Sequence, residues 1–594
     1  MTTARVSPIL QKTNLQARQL RGPRPAEDRI GMEKYTIGLD YGTLSLRGII
    51  VSVVDGRQIA SAQFAYPHGV MDTSLPGGIP LPPGWALQHP QDYLDALDAV
   101  VPALMRESGL PPESIAGIGV DFTACTMLPV TAEGMPLCFL PAYEKEPHAY
   151  VKLWKHQTAQ PQADRITALA AERDEPFLKR CGGKAYAQNA FPKLLQLLEE
   201  APQVYNAMDL YVEAADWVVW RLTGRFFRSA NCLGFKAFYD LKAGFPDRSF
   251  FAALAPGFGD VLETKMAGPV SPVGAKAGAV APGMARRLGV APGTAVATPM
   301  VDGHVCFPAS GIDGPGKLLG IMGTSAPYFL LSPYCRPIPS LCGVVDDGLI
   351  PGFTALEAGL NCVGDQFAWA AETCSPSAYR QEASEKGISL QTLLTEKAAK
   401  LRPGESGLIA LDWWNGSRSL LMDPDVSGLI AGMTLATRPE EIYRALLEAI
   451  AFATRVIVEH FNAYGVPVSE LRLTGGVSHK NPFLMQVLAD VLRLPVAVLA
   501  TDQGSALGSA IYGAVASGAC PSLTEAIRRM ASPIQQEYRP RPENFSAYDR
   551  LYGEYRLLYD RFGLQDGMMK RLGRIRREAA DAAKNEKHHK GGSL

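Results

Sequence analysis

Between Tyr35 and Ile50 the chain reads YTIGLDYGTLSLRGII, and the plan of that stretch returns in its second half. A short apolar run (Ile37, Leu39) ends in Asp40 and turns through Gly42-Thr43. A half-alternating run from Leu46 to Val54 then reaches Asp55-Gly56, a dipeptide that favours a tight hairpin. Around Leu318–Met322 another apolar run reaches Gly323-Thr324-Ser325, turns, and continues as Tyr328–Leu331. Val344–Val345 and Leu349–Ile350 next flank Asp346-Asp347-Gly348, a second hairpin signal. Helix Gln91–Arg106, with Leu94, Leu97, Val101 and Leu104 on one face, and strand Ile115–Val120, ending in Asp121-Phe122-Thr123, complete the first half. Helix Glu440–Tyr464 and strand Leu471–Thr474, ending in Gly475-Gly476, complete the second. Such a repeat confines the chain to a duplicated α/β architecture, its two turns facing each other across a cleft.

Composition narrows the functional classes. A chain that is 47% hydrophobic and 20% charged forms a core, and a formal charge of −1 argues against nucleic acid as a partner. The most apolar helical stretch, Ala445–Val458, carries Glu448 and Arg455, which argues against a membrane span. Ten cysteines without a CxxC read as reduced thiols of a cytoplasmic protein. The residues before Met32 are polar and Arg-rich and lack an apolar h-region. They read as a disordered extension, with Met32 as the working start and a transit peptide as the alternative. The stretch Lys570–Lys590 reads as a frayed basic helix and tail. The expected division is 1–33 extension, 34–305 first lobe, 306–550 second lobe and 551–594 helical, basic tail.

An aspartate delivered by a strand to a Gly/Thr/Ser turn suits a divalent cation beside a phosphate cradle, because small residues let backbone N–H groups approach an anion. Here the chain resembles the actin/Hsp70/sugar-kinase superfamily. Gly428–Met433, followed by Glu441-Ile442 and Ala445–Glu448, looks like the C-terminal signature of the FGGY carbohydrate kinases. HPQDY (His89–Tyr93), GIGVDFTACTMLPV (Gly117–Val130), LWKHQTAQ (Leu153–Gln160), PGFTALEAG (Pro351–Gly359) and LDWWNGSR (Leu411–Arg418) resemble its ribulokinase branch. The similarity runs from about Tyr35 to about Gly518.

The resemblance implies a two-lobed, actin-like (ribonuclease H-like) α/β fold, with a sugar-binding first lobe and a nucleotide-binding second lobe. It implies ATP and Mg²⁺ as cofactors, and phosphorylation of a ketopentose, L- or D-ribulose, at its terminal hydroxyl, as in arabinose catabolism. The rivals are another FGGY kinase, acting on xylulose or a polyol, and a non-catalytic nucleotide-dependent binding protein. A homodimer rests on the family alone.

Phosphoryl transfer needs charge neutralisation, donors for the transferring oxygens and a base for the attacking hydroxyl. By its match to the family, Asp302 (in ATPMVDGHVC) is the base; by spacing alone Val301-Asp302-Gly303 is a turn. Asp40 would reach Mg²⁺, mainly through water, while Gly42, Thr43 and Ser45 form the first phosphate loop. Arg47 either neutralises the transferring group or makes a salt bridge within its lobe. Gly323, Thr324 and Ser325 match the second phosphate loop, and Gly475, Gly476 and Asn481 match the adenosine motif. Gly504–Ala510 reads as a close-packing helix. For the sugar the resemblance implicates Lys193 and Glu357, more weakly Asp121 and Thr123, with Trp154 and Lys155 forming a wall. Trp-Lys-His at 154–156, in place of the acidic residue and arginine of the xylulokinases, favours ribulose. His304 reads as structural.

Overall fold

The computed structural model describes residues 33–591, so the reading of the segment before Met32 lies outside the described residues. Its frame is two seven-stranded sheets. In the first, Tyr35–Tyr41 lies between its antiparallel partner Ser45–Ser52 and the parallel strand Ile115–Phe122. Gln58–Ala65 follows Ser45–Ser52 outward, and Ala295–Ala297 and Lys276–Ala279 lie beyond Ile115–Phe122. In the second, Lys317–Ile321 lies between antiparallel Ala326–Ser332 and parallel Glu470–Thr474, the same local plan. Val496–Leu499 and Ile534–Tyr538 extend that sheet on one side, Thr354–Leu360 and Gly343–Asp346 on the other. The two repeats read in the sequence are thus two sheets with matching centres.

One hairpin differs. Gly343–Asp346 pairs with Thr354–Leu360, not with Leu349–Ile350, in a register running from Gly343 opposite Glu357 to Asp346 opposite Thr354. Asp346 and Asp347 each hold the connection through their side chains, accepting from Thr354 Oγ1 (2.7 Å) and Gly352 N (2.6 Å). Leu349 and Ile350 are buried as packing residues of this longer turn. Apolar residues beside Asp-Gly need not be strand when a larger loop can bury them.

Helices Asp302–Ala309 and Gly504–Ala516 pack together between the sheets, and their Val305, Cys306, Ala506 and Ala510 share one core with Ile49 and Leu319. The seam is made of backbone. A Cβ at Gly38 would lie 1.7 Å from Ala506 O, one at Gly119 would lie 1.8 Å from Ser509 O, and one at Gly508 would lie 1.7 Å from Val305 O. Helix Gly504–Ala516 therefore crosses the first sheet although it comes late in the chain. The helix 439–463, read as Glu440–Tyr464, begins with Pro439 and is closed by Glu441, whose carboxylate accepts from Arg438 N at 2.7 Å. Glu448 of the C-terminal signature is buried inside it, accepting from Arg444 Nε at 2.8 Å.

Leu87–Gln88 joins an insertion between Phe122 and Lys276 to form a four-stranded sheet, ordered Leu87–Gln88, Val151–Lys152, Met127–Val130, Leu210–Glu213, with its own apolar core. No helix among the described residues is long and apolar enough to cross a membrane.

Candidate active site

Register builds the acidic centre. Asp40 lies opposite Asp121 on the parallel strand and opposite Arg47 on the antiparallel one. Arg47 Nη2 is 2.7 Å from Asp40 Oδ2, so the salt bridge within the lobe is present, while the guanidinium stays 43% exposed. Asp121 is fully buried and accepts from Ser509 Oγ at 2.6 Å. Burial and the neighbouring Asp40 hold its carboxyl well above the usual range.

Asp302 opens the helix Asp302–Ala309 and accepts from Gly303 N at 2.7 Å. Burial, with Asp40 adding to it, pushes its carboxyl up to about 7, against the opposing pull of Gly303 N–H, Arg47 and Lys236. The residue read as a possible turn thus sits at a helix N-terminus, within reach of the charges of Asp40, Arg47 and Lys236. Its next neighbour Gly303 faces Phe329 and Ile321 of the second sheet.

The first Gly-Thr turn closes through Gly42 N donating to Ser45 O at 3.0 Å, the second through Gly323 N donating to Ser325 O at 2.9 Å. The HPQDY motif braces the first turn: Tyr93 OH donates to Gln88 Oε1 (2.7 Å), and Gln88 Nε2 donates to Thr43 O (2.7 Å). In the same motif His89 caps its helix, and Asp92 accepts from His68 Nδ1 at 2.6 Å. Trp154, 38% exposed, donates from Nε1 to Thr43 Oγ1 at 3.1 Å. Ser45 Oγ accepts from Gln63 Nε2 at 3.0 Å.

Beyond the second turn lies a cavity of about 470 Å³ lined in part by Gly323, Thr324, Gly476, Asn481, Phe367 and Tyr443. Residues from the expected phosphate and adenosine motifs therefore share one space, with aromatic walls. Gly475 has φ +97° and passes directly over Met322, where a Cβ would lie 2.6 Å from its carbonyl oxygen. Asn481 also caps the next helix, its Oδ1 accepting from Leu484 N at 2.9 Å.

Glu357 is buried between cations. Arg418 bonds one carboxylate oxygen, and Lys236 Nζ lies 3.6 Å from the other, as does His304 Nε2. Burial alone would raise this carboxyl, but Lys236 and Arg418 hold it far below the usual range. Arg418 (28% exposed) and Lys236 (14%) are the side chains that open this group toward solvent.

Three of the sugar residues read from the sequence lie elsewhere than expected. Lys193 is fully buried, and its ammonium donates to the carbonyls of Cys125 (2.6 Å), Leu153 (3.1 Å) and Lys152 (3.4 Å). That cation is thus held by three carbonyls of the protein, two of them in the segment leading to Trp154. Asp121 points into the carboxylate cluster, and the Thr123 hydroxyl is spent on Thr126 Oγ1 at 2.7 Å. The lysine beside Glu357 is Lys236, at the end of the short helix Ala230–Lys236. Its one sequence signal is a lone charge closing an apolar segment. Arg418 ends the quoted LDWWNGSR motif, but the sequence reading gave it no role. His304 is buried and lies tilted against Phe235, with ring centroids 4.0 Å apart.

The donor set of the acidic centre suits a hard divalent cation. Asp121 Oδ1 is buried without a hydrogen-bond partner, and the Asp40 carboxylate lies beside it.

A family model for the N-terminal domain of the FGGY family of carbohydrate kinases matches residues 35–307, and one for the C-terminal domain matches 318–517. The ribulokinase of Bacillus licheniformis is 48% identical over 538 residues, covering 90% of this chain and 98% of its own. That of Mycolicibacterium smegmatis is 45% identical, covering 93% and 98%. Among solved structures, a xylulose kinase from Rhodospirillum rubrum superposes with a TM-score of 0.73 at 26% identity, covering 89% of this chain and 98% of its own. A glycerol kinase from Plasmodium falciparum with ADP superposes with a TM-score of 0.70 at 17% identity, covering 90% and 98%, a likeness of fold.

Proposed function

The chain belongs to the FGGY family of carbohydrate kinases, and from that premise we propose that it transfers the γ-phosphoryl group of ATP to the terminal hydroxyl of ribulose, giving ribulose 5-phosphate. The observation that carries the reading is the position of Asp302 at the start of its helix, close enough to Asp40, Arg47 and Lys236, the partner of Glu357, for their charges to act on it.

In this mechanism Asp302 takes the proton of the 5-hydroxyl as its oxygen attacks the γ-phosphorus. Lys236, Glu357 and Arg418 hold the far hydroxyls and carbonyl of the sugar, and Trp154 walls it. Arg47 and the two Gly-Thr turns donate to the oxygens of the transferring group, while the cavity beside Gly476 and Asn481 takes the adenosine. Asp40 and Asp121 would hold Mg²⁺, which when bound neutralises charge on the triphosphate. The lobes are proposed to divide as 34–305 and 306–550, with helix Gly504–Ala516 packed across both. A cytoplasmic homodimer completes the reading, and light scattering tests the assembly.

Coupled ADP release measured with L-ribulose, D-ribulose, D-xylulose, L-xylulose, ribitol and glycerol tests the assignment. A ribulose is expected to be preferred; preference for xylulose or a polyol would move the chain to a neighbouring branch. ATP binding without turnover on any sugar would leave a binding protein.

Two further outcomes belong to the same assay. Because the ionised form of Asp302 is the base, kcat/KM for the sugar should rise with pH and level off above about 7. A profile flat across neutrality would remove Asp302 from that role. Lys236→Met should raise KM for the sugar roughly 10–100-fold, the worth of a hydrogen bond to a charged group, with KM for ATP unchanged. An unchanged sugar KM would exclude Lys236 from the pocket.

A further inference from the structure

We propose that Asn231 is a positioning residue of the transfer step, tying the peptide that presents Asp302 to the hairpin of the other lobe and fixing the tautomer of the imidazole beside Glu357. The inference rests on the roles given above to Asp302 and Glu357.

Asn231 is fully buried at the start of the helix Ala230–Lys236. Its Nδ2 donates to Gly348 O at 2.6 Å, in the turn after Gly343–Asp346. Its Oδ1 accepts from Val301 N at 3.0 Å, one residue before the base. A peptide N–H can only donate and a carbonyl can only accept, so these two contacts fix which end of the amide is oxygen. His304 Nδ1 lies 3.2 Å from the same Oδ1 and must therefore carry its proton. Burial lowers the pKa of His304, so the ring is neutral and its Nε2 presents a lone pair toward Glu357 Oε2, 3.6 Å away. That oxygen has no hydrogen-bond partner in the protein. Two buried acceptors side by side, with Lys236 opposite, make a place for a donor, and a sugar hydroxyl supplies one.

One carboxamide thus sets both ends of the reaction. Through Val301 it holds the base, through His304 it shapes the acceptor pair that orients the sugar, and through Gly348 it anchors both to the second lobe. Loss of the amide frees a buried N–H and the turn bearing Asp302. A displacement of the order of an ångström costs on the order of 10²-fold in rate.

The test is Asn231→Ala and Asn231→Asp beside the wild type, with kcat and both KM values measured as a function of pH and thermal unfolding as the folding control. Asn231→Ala should lose about 10²-fold in kcat at every pH, with KM for ATP unchanged. Asn231→Asp has the same shape. When protonated it can donate to Gly348 O and accept from Val301 N and His304; when ionised it sets a carboxylate against a carbonyl. Its kcat relative to wild type should therefore climb as pH is lowered, a response a merely structural residue would not give. It also carries the test if the alanine variant fails to fold. Folded variants with wild-type kcat, or an aspartate variant whose ratio to wild type is flat in pH, would overturn the proposal. A wild type inactive on every sugar would overturn the kinase reading, and this role with it.

Discussion

Asp302→Asn should lower kcat by about 10²–10⁴-fold while ATP binds as before. The substitution keeps the shape of the side chain and an oxygen to accept from Gly303 N, and removes the proton acceptor. Its effect on stability has the opposite sign to its effect on rate. The folded-state carboxyl sits at about 7, above its ordinary value near 4, so the folded protein binds the proton more tightly than the unfolded chain. That contribution is fully present below about 4 and is lost as pH rises through about 7. Asparagine cannot ionise, so the variant should gain in melting temperature over wild type as pH rises across that window. Kinetics and thermal scans on the same samples check both halves. Turnover close to wild type would refute the assignment of the base, and a variant that melts earlier at neutral pH would refute the account of its ionisation.

Gly508→Val is expected to be the most damaging change far from any ligand. The added Cβ would lie 1.7 Å from Val305 O, and the obstacle is helix backbone, which has no rotamer to move. Overpacking costs about 1–3 kcal/mol where side chains can adjust, and here the cost should reach at least the top of that range. The displaced helix begins with Asp302, so any protein that still folds should also lose turnover. Urea unfolding of the variant gives the first quantity and ADP release the second. A variant that unfolds at the wild-type urea concentration would mean that the seam opens without cost.

The sequence carried the fold because the fold is written in local signals. Asp55-Gly56 closes the first hairpin where expected, and both Gly-Thr turns join antiparallel strands. The helix Pro482–Leu492 is opened by a capping Asn481 and by Pro482 in its first turn, both local signals. The second hairpin was misplaced because burial in a long turn and burial in a strand ask for the same residues, Leu349 and Ile350. The site was legible where strand register decides it, as at Asp40 and Arg47, or where a motif names it, as at Glu357. It was illegible where a long insertion folds back. Lys193 and Lys236 are both lysines in apolar helices, and which one meets Glu357 depends on tertiary packing that no periodicity encodes. Asn231 gave no signal, because an amide that satisfies three partners far apart in the chain looks like any other asparagine in sequence.

The contact between helix Gly504–Ala516 and the first sheet has one more consequence. Where Gly38 and Gly119 meet Ala506 and Ser509, main chain lies against main chain with no side chain interposed. Burying a side chain elsewhere in a protein costs up to about 2 kcal/mol of lost rotamer freedom, and a surface of backbone has no such freedom to lose. Movement along this line of contact therefore has no rotamer to freeze or free at the glycines themselves.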